Sequence, residues 1–377
     1  MFDVIVCGAG PAGAIAATVL ARGGARVLML DRARFPRPKL CGDTINPGAR
    51  AILRRLGLAA PIELQAIEVD GMIVSGEGGV QVRGAYGAGA RGLAIERTHL
   101  DATLANAAVA AGARFEDGVL VRGPLVDEHD ARRVRGVILA GRDGKNLRVP
   151  APIVIAADGR RSRLALALGL IRQPAHPRRW AIGAYFDGVE GLTTFGEMHV
   201  RRGRYIGIAA VPSARANVCV VVPGTAPLAR PAAVLLDAIS QDAQLRDRFA
   251  HAELVSPPAV IGPLAVDASH AGMPGLLLAG DAAGFIDPMT GDGLRFAFRG
   301  GEMAAAVSLA ALEGRIAAPH ERLARARHRE FASKWRFDRS LRSVVDHEMS
   351  VTLAARAARL APWLLRRTIA FAGDLPR

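Results

Sequence analysis

The chain has only three cysteines, Cys7, Cys41 and Cys219, with neither paired spacing nor a Cys-x-x-Cys. That argues against a disulfide framework and a cysteine-based zinc site. It also lacks an apolar run of about 18 residues free of charge, the length that crosses a bilayer, so no transmembrane helix is predicted. Met1 to Cys7 lead straight into a glycine turn without the charged, long apolar and cleavage regions of a secretory leader, and a cytoplasmic location is expected. Lysine occurs only at Lys39, Lys145 and Lys334, so the net charge of +14 is almost entirely arginine. These arginines are scattered through alanine-rich sequence, with no basic stripe interleaved with aromatics, and no nucleic-acid partner is expected. There is no G-x-S-x-G elbow, no HExxH, and no metal site is expected, because the histidines and carboxylates lack ligand spacing. His199, His251 and His270 read as core or solvated side chains.

Half of the 377 residues are apolar, enough for a large core and two domains. An apolar run at 3–7, a small-residue stretch at 12–21 and a second apolar run at 25–30 predict strand, helix, strand. A helix is expected over 47–56, opened by Asn46-Pro47. Glycine-punctuated β pieces fill 67–95, a helix 97–111, and a strand meander 119–149 with Asp143-Gly144 as a hairpin turn. Residues 153–156 and 276–279 read as strands buried on both faces, 180–222 as an antiparallel sheet and 232–239 as a helix, with mostly helix after Gly293. No internal repeat is present.

The strongest motif is Gly8-Ala9-Gly10-Pro11-Ala12-Gly13, set between strand and helix. Gly8 permits the tight turn, Gly10 lets backbone approach a pyrophosphate, and Gly13 allows close helix–strand packing at a helix N-terminus that carries partial positive charge. Asp31, 23 positions after Gly8 and followed by Arg32, stands where a carboxylate accepts hydrogen bonds from a ribose. Gly87-Ala88-Gly89-Ala90-Arg91-Gly92 fits the same pattern, but with no strand before it and no helix after it the expectation is a glycine-rich loop.

After the 276–279 strand comes Gly280-Asp281-Ala282-Ala283-Gly284-Phe285-Ile286-Asp287-Pro288-Met289-Thr290-Gly291-Asp292-Gly293. This segment resembles the GD signature of FAD-dependent oxidoreductases related to p-hydroxybenzoate hydroxylase and the geranylgeranyl reductases. The resemblance implies that Gly280 and Asp281 meet the ribityl and pyrophosphate region of FAD, and that Pro288, Gly291 and Gly293 lie under the isoalloxazine. Ala157-Asp158-Gly159-Arg160-Arg161-Ser162-Arg163 is similar to the family's DG fingerprint, which implies cofactor contact for Asp158 and Gly159. Arg97 matches its phosphate-contacting arginine. Lys39-Leu40-Cys41-Gly42-Asp43 is similar to the Cys-Gly segment of the reductases, which places Cys41 and Gly42 near the flavin; Cys41 is the single candidate for a catalytic side chain.

The implied fold is α/β: a discontinuous Rossmann-type FAD-binding domain (1–66, 96–170, 260–312), an inserted antiparallel β-sheet substrate domain (67–95, 171–259) and C-terminal helices (313–377). The Trp-x-Trp-x-Ile-Pro motif of flavin halogenases is absent, and Tyr205-Ile206-Gly207-Ile208-Ala209-Ala210-Val211-Pro212 replaces the reductases' aromatic–Trp–aromatic–Pro segment. Both departures favour a single-component monooxygenase, which takes electrons from NAD(P)H as a transient donor and hydroxylates an aromatic or polyketide-like molecule. The alternatives are a reductase of carbon–carbon double bonds in an isoprenoid or lipid, and a membrane-surface interaction protein with structural FAD. The last is motivated by 356–371, where Arg359, Arg366 and Arg367 alternate with Leu360, Trp363, Leu364, Leu365 and Ile369, an amphipathic pattern suited to peripheral membrane contact.

Overall fold

The computed structural model describes residues 1–87, 89–141, 145–174, 179–224, 229–346 and 360–373. Val4–Cys7, Val27–Leu30 and Ile153–Ala156 are wholly apolar and buried at every position. Strands without a polar side need cover on both faces, which a parallel sheet between two layers supplies. They occupy the centre of a six-stranded sheet in the order 272–273, 276–278, 153–156, 4–7, 27–30, 114–116. All neighbours run parallel except the edge strand Gly272–Met273.

Alternation along these strands divides the core. Val4, Val6, Val27, Met29, Ile153 and Ile155 pack with Ile15, Leu104 and Phe298 of three covering helices, Pro11–Arg22, Arg97–Ala110 and Gly293–Leu312. Ile5, Cys7, Leu28, Leu30, Val154 and Ala156 face the other way, onto Val134, Val137 and Leu139. Those three belong to an antiparallel meander, Val121–Val126, Val134–Ala140 and Asn146–Pro150. The predicted turn Asp143-Gly144 lies outside the described residues.

The helix Gly293–Leu312 crosses Pro11–Arg22 at very short range. A β-carbon on Gly301 would stand 2.2 Å from the Ala12 carbonyl oxygen, so glycine there sets the distance between the two helices.

The second sheet has eight strands, running 253–254, 179–187, 215–223, 204–211, 195–201, 71–75, 81–85, with 259–261 also on 179–187. It is not purely antiparallel as expected. Phe195–Arg201 pairs parallel with Gly71–Ser75, because the 71–75 strand arrives from a distant part of the chain instead of through a hairpin. Of the second glycine pattern, Ala88 lies outside the described residues and no helix opens among the rest, but a strand does precede it: Gln81–Ala85 comes before, and Gly92–Ala94 begins on its last glycine. The flanking strands belong to different sheets, Gln81–Ala85 beside Gly71–Ser75 and Gly92–Ala94 between Thr44–Ile45 and Ile67–Val69, so the segment links two sheets.

Helices Pro319–Asp346 and Pro362–Ala372 finish the described chain; residues 356–359 of the amphipathic stretch lie outside it. Among the described residues no helix is long and apolar enough to cross a membrane. Replacing Gly301 with alanine must push the two helices apart and is expected to destabilise the fold by about 1–3 kcal/mol. Thermal unfolding with matched flavin content checks this, and an unchanged midpoint would contradict the packing argument.

Candidate flavin site

The opening turn is held by backbone contacts. Gly8 has φ +99°, and a β-carbon on it would lie 2.4 Å from the Ala157 oxygen, while one on Gly13 would lie 1.8 Å from the Gly8 oxygen. Asp31 closes the turn: its Oδ2 accepts from the Ala9 N–H at 2.9 Å and its Oδ1 from Ala33 N–H at 2.9 Å. The helix that follows has Pro11 at its start, no side-chain cap and no acidic residue in its first turn. Its partial positive end is therefore open to an anion.

A cavity of about 390 Å³ begins at Gly10, Pro11 and Ala12, passes Lys39 to Gly42 and Arg97, and reaches Gly280, Asp281 and Pro288. Its near wall is cationic. The Arg97 guanidinium forks onto fully buried Asp101 at 2.7 and 2.9 Å, and Arg37 reaches the same carboxylate at 3.2 Å. Arg160 pairs with Asp281 at 2.9 Å and lies over the Phe285 ring. Burial first, then the neighbouring Arg97 charge, brings the Lys39 ammonium down to about 8. Arg37 Nε and Arg160 Nη1 are buried without hydrogen-bond partners, which is the donor chemistry a diphosphate satisfies.

The far end of the cradle comes from the second glycine-rich segment. Gly280 and Gly291 have φ of +60° and +70°, and Gly291 precedes the helix that begins at Gly293. Asp287 is fixed by the Tyr205 hydroxyl, which donates at 2.5 Å, by the Met289 N–H at 3.1 Å and by Arg179 at 3.4 Å. Burial raises the Asp287 carboxyl, against the lowering effect of those donors.

A second polar cluster lies under the Cys41 segment. Asp43, wholly buried at φ +54°, accepts from Tyr185 at 2.6 Å and from Asn217 Nδ2 at 2.7 Å, while its Oδ1 has no partner. Asn217 also donates to the Cys41 carbonyl at 3.0 Å, and Cys219 Sγ lies 3.3 Å from the same oxygen. Desolvation pushes the Asp43 carboxyl up to about 7.

Of the residues singled out from sequence, the cavity wall brings together Gly10, Ala12, Cys41, Gly42, Arg97, Gly159, Gly280, Asp281, Pro288, Gly291 and Gly293. Gly8, Gly13, Asp31, Arg32 and Asp158 are not in that wall. Gly8, Gly13 and Asp31 shape the turn, Arg32 is exposed, and Asp158 accepts from the Arg163 N–H at 3.0 Å. Sequence reasoning missed Arg37, Asn217, Tyr205 and Asp287, whose places depend on contacts across distant segments. His199 is a core residue: its ring bridges Ser75 at 2.8 Å and Glu197 at 2.9 Å, all three buried, whereas His251 and His270 are exposed.

A buried carboxyl that holds its proton better in the folded chain than unfolded stabilises the fold fully below pH 3.8 and progressively less as pH rises to about 7. Asparagine tolerates the left-handed backbone at position 43. Asp43→Asn is therefore expected to flatten the decline in stability over that window. Denaturant titrations at several pH values measure it; parallel curves for the two proteins would refute the assignment.

The comparisons agree with the geometry. Residues 1–336 match the family model described as FAD binding domain. Digeranylgeranylglycerophospholipid reductase 1 of Methanopyrus kandleri is 34% identical over 332 residues, 83% of this chain and 81% of that protein. Menaquinone reductase of Mycolicibacterium smegmatis is 33% identical over 318 residues, 80% and 75% of the two chains. Among solved structures, the myxobacterial chondrochloren halogenase CndH superposes with a TM-score of 0.83 at 21% identity, over 97% of this chain and 90% of that one. The flavin-dependent brominase Bmp2 gives 0.82 at 20%, over 99% and 93%; both show a shared fold. The chain belongs to the FAD-dependent oxidoreductases of the p-hydroxybenzoate hydroxylase and geranylgeranyl reductase superfamily, and FAD is its cofactor.

Proposed function

We propose that this enzyme saturates carbon–carbon double bonds in the isoprenoid chain of a lipid. The observation that carries this reading is the continuity of the cavity: the cationic cradle opens directly into an apolar chamber walled by Met72, Val74, Met198, Val200, Val221 and Leu264. Such a chamber suits a hydrocarbon chain, which is held by area and shape instead of by directed hydrogen bonds. The relatives at 33% and 34% identity are named for reduction of lipids that bear isoprenoid chains. Reduction therefore stands ahead of aromatic hydroxylation, the reverse of the order suggested by sequence alone. Hydroxylation stays second, since the halogenase likeness speaks to fold only.

The roles of the side chains follow from their positions. The Gly10 to Ala12 helix end, Arg97 and Lys39 would bind the FAD diphosphate, with Arg37 and Asp101 positioning Arg97. Gly291 and the helix start at Gly293 would face the flavin ring, where partial positive charge favours the reduced, anionic form. Bound FAD supplies the two-electron hydride chemistry and is recharged by a reductant of the NAD(P)H class. Adding hydrogen across an alkene also requires a proton. Tyr205, which lines the cavity and donates to Asp287, and Cys41 are wall groups that hold a transferable one. The apolar walls exclude water, so the hydride is not lost to solvent.

Anaerobically reduced protein, mixed with a polyprenyl lipid, is expected to yield product carrying two more hydrogens per double bond by mass spectrometry. Failure to reduce any prenyl lipid, together with oxygen insertion into a phenol in air, would reverse the order of the two readings. The Lys39 position generates a separate expectation. A diphosphate beside an ammonium whose pKa is about 8 raises that pKa, so from about pH 8 upward FAD binding takes up a proton. Affinity should fall as pH rises through about 8 in the wild type, and Lys39→Met should be weaker and lose that dependence. Flavin fluorescence titrations decide it; the same pH profile in both proteins would sink the assignment.

A further inference from the structure

The C-terminal helix Pro362–Ala372 has two unlike faces. One is seated in the protein: Ile369 is buried in a cluster with Tyr86, Val69 and Val211, and Thr368, Ile369 and Ala372 form part of the cavity wall. Its last carbonyls are gripped, since Lys334 Nζ donates to Phe371 O at 2.6 Å and Ala372 O at 3.1 Å, and Asn46 Nδ2 donates to Ala372 O at 3.2 Å. Asn46 and Lys334 also hold Asp292, at 3.0 and 3.2 Å, on the glycine-rich segment of the cradle. The helix is thus tied to the site itself.

The other face is exposed at Trp363 and Leu364, 57% and 53%, and Leu360, two residues before the helix begins, is 88% exposed. Arg366 and Arg367 beside them are exposed, and the helix has no acidic side chain. The long helix Pro319–Asp346, whose Phe337 meets Phe371 edge to face, exposes Arg336 and Arg339 as well. An apolar centre with Trp and Leu, on a helix whose charged side chains are Arg366 and Arg367, matches the chemistry of a lipid surface: rings and alkyl chains enter the acyl boundary while guanidinium groups stay among anionic headgroups. A second copy of the chain fits poorly, because a two-fold contact through this face would set arginine against arginine.

We infer that this face lies on an anionic membrane surface, with the helix forming both the contact with the bilayer and a wall of the cavity. An isoprenoid lipid would then pass from the membrane to the site along Thr368 and Ile369. The route rests on the reductase reading; the docking does not.

The test is flotation of the full-length FAD-loaded protein with phosphatidylcholine vesicles, with and without phosphatidylglycerol. Wild type is expected to float with the anionic vesicles, much less with neutral ones, and to be released by salt. Combined Leu360→Gln, Trp363→Gln and Leu364→Gln substitution should weaken partitioning by roughly tenfold or more, and Arg366→Gln with Arg367→Gln should remove the preference for anionic lipid. Flavin content and turnover of a detergent-dispersed prenyl substrate should be retained in these variants. Equal partitioning of variant and wild type would overturn the inference, as would a wild type that ignores anionic vesicles or pairs with itself through this helix. Vesicle binding by a protein inactive on every alkene would count against the reductase reading alone. Activity in detergent without vesicle binding would count against this inference alone.

Discussion

The site depends on backbone lying against backbone where a side chain would not fit. Gly8 sits against Ala157, Gly13 against the Gly8 carbonyl, and Gly301 against Ala12, each closer than a β-carbon permits. These contacts put the N-terminus of the first helix at the mouth of the cavity and bring the second glycine-rich segment beside it. The cradle has elements from the start, middle and end of the chain, and small residues at the crossings set their spacing.

Charge completes what packing begins. Arg37, Lys39, Arg97 and Arg160 surround the cradle and are met by Asp31, Asp101 and Asp281. Burial makes such charges costly unless they are paired, and Lys39 carries that cost: desolvation first, then the neighbouring Arg97 charge, lowers its ammonium. An anionic cofactor relieves it. The chamber beyond is lined mainly by apolar side chains, with Glu197 its charged exception, so one cavity divides into a charged end and a largely apolar end.

Most of the parallel sheet was legible because its signals are local: continuous apolar strands, a glycine turn, a helix of small residues. The cradle's motifs were legible for the same reason, and Gly10, Arg97, Asp281 and Gly293 meet around one cavity. Gly301, by contrast, looks like any helix glycine until Ala12 is seen against it. The Asp43, Tyr185 and Asn217 cluster joins residues far apart in sequence, with no spacing to reveal it. The parallel pairing of Gly71–Ser75 with Phe195–Arg201 escaped notice because register across distant segments leaves no periodic trace. At 205–212 the departure from the reductase motif pointed toward hydroxylation, whereas the surrounding chamber and the lipid reductases among the relatives support reduction.

A crystal structure of the FAD-loaded protein tests the central claim most directly. The diphosphate should lie within hydrogen-bonding distance of the backbone at Gly10 to Ala12 and of Arg97, with the flavin ring beside Gly291 and Gly293 and the apolar chamber open in front of it. A diphosphate bound elsewhere, or a ring facing away from that chamber, would contradict the account.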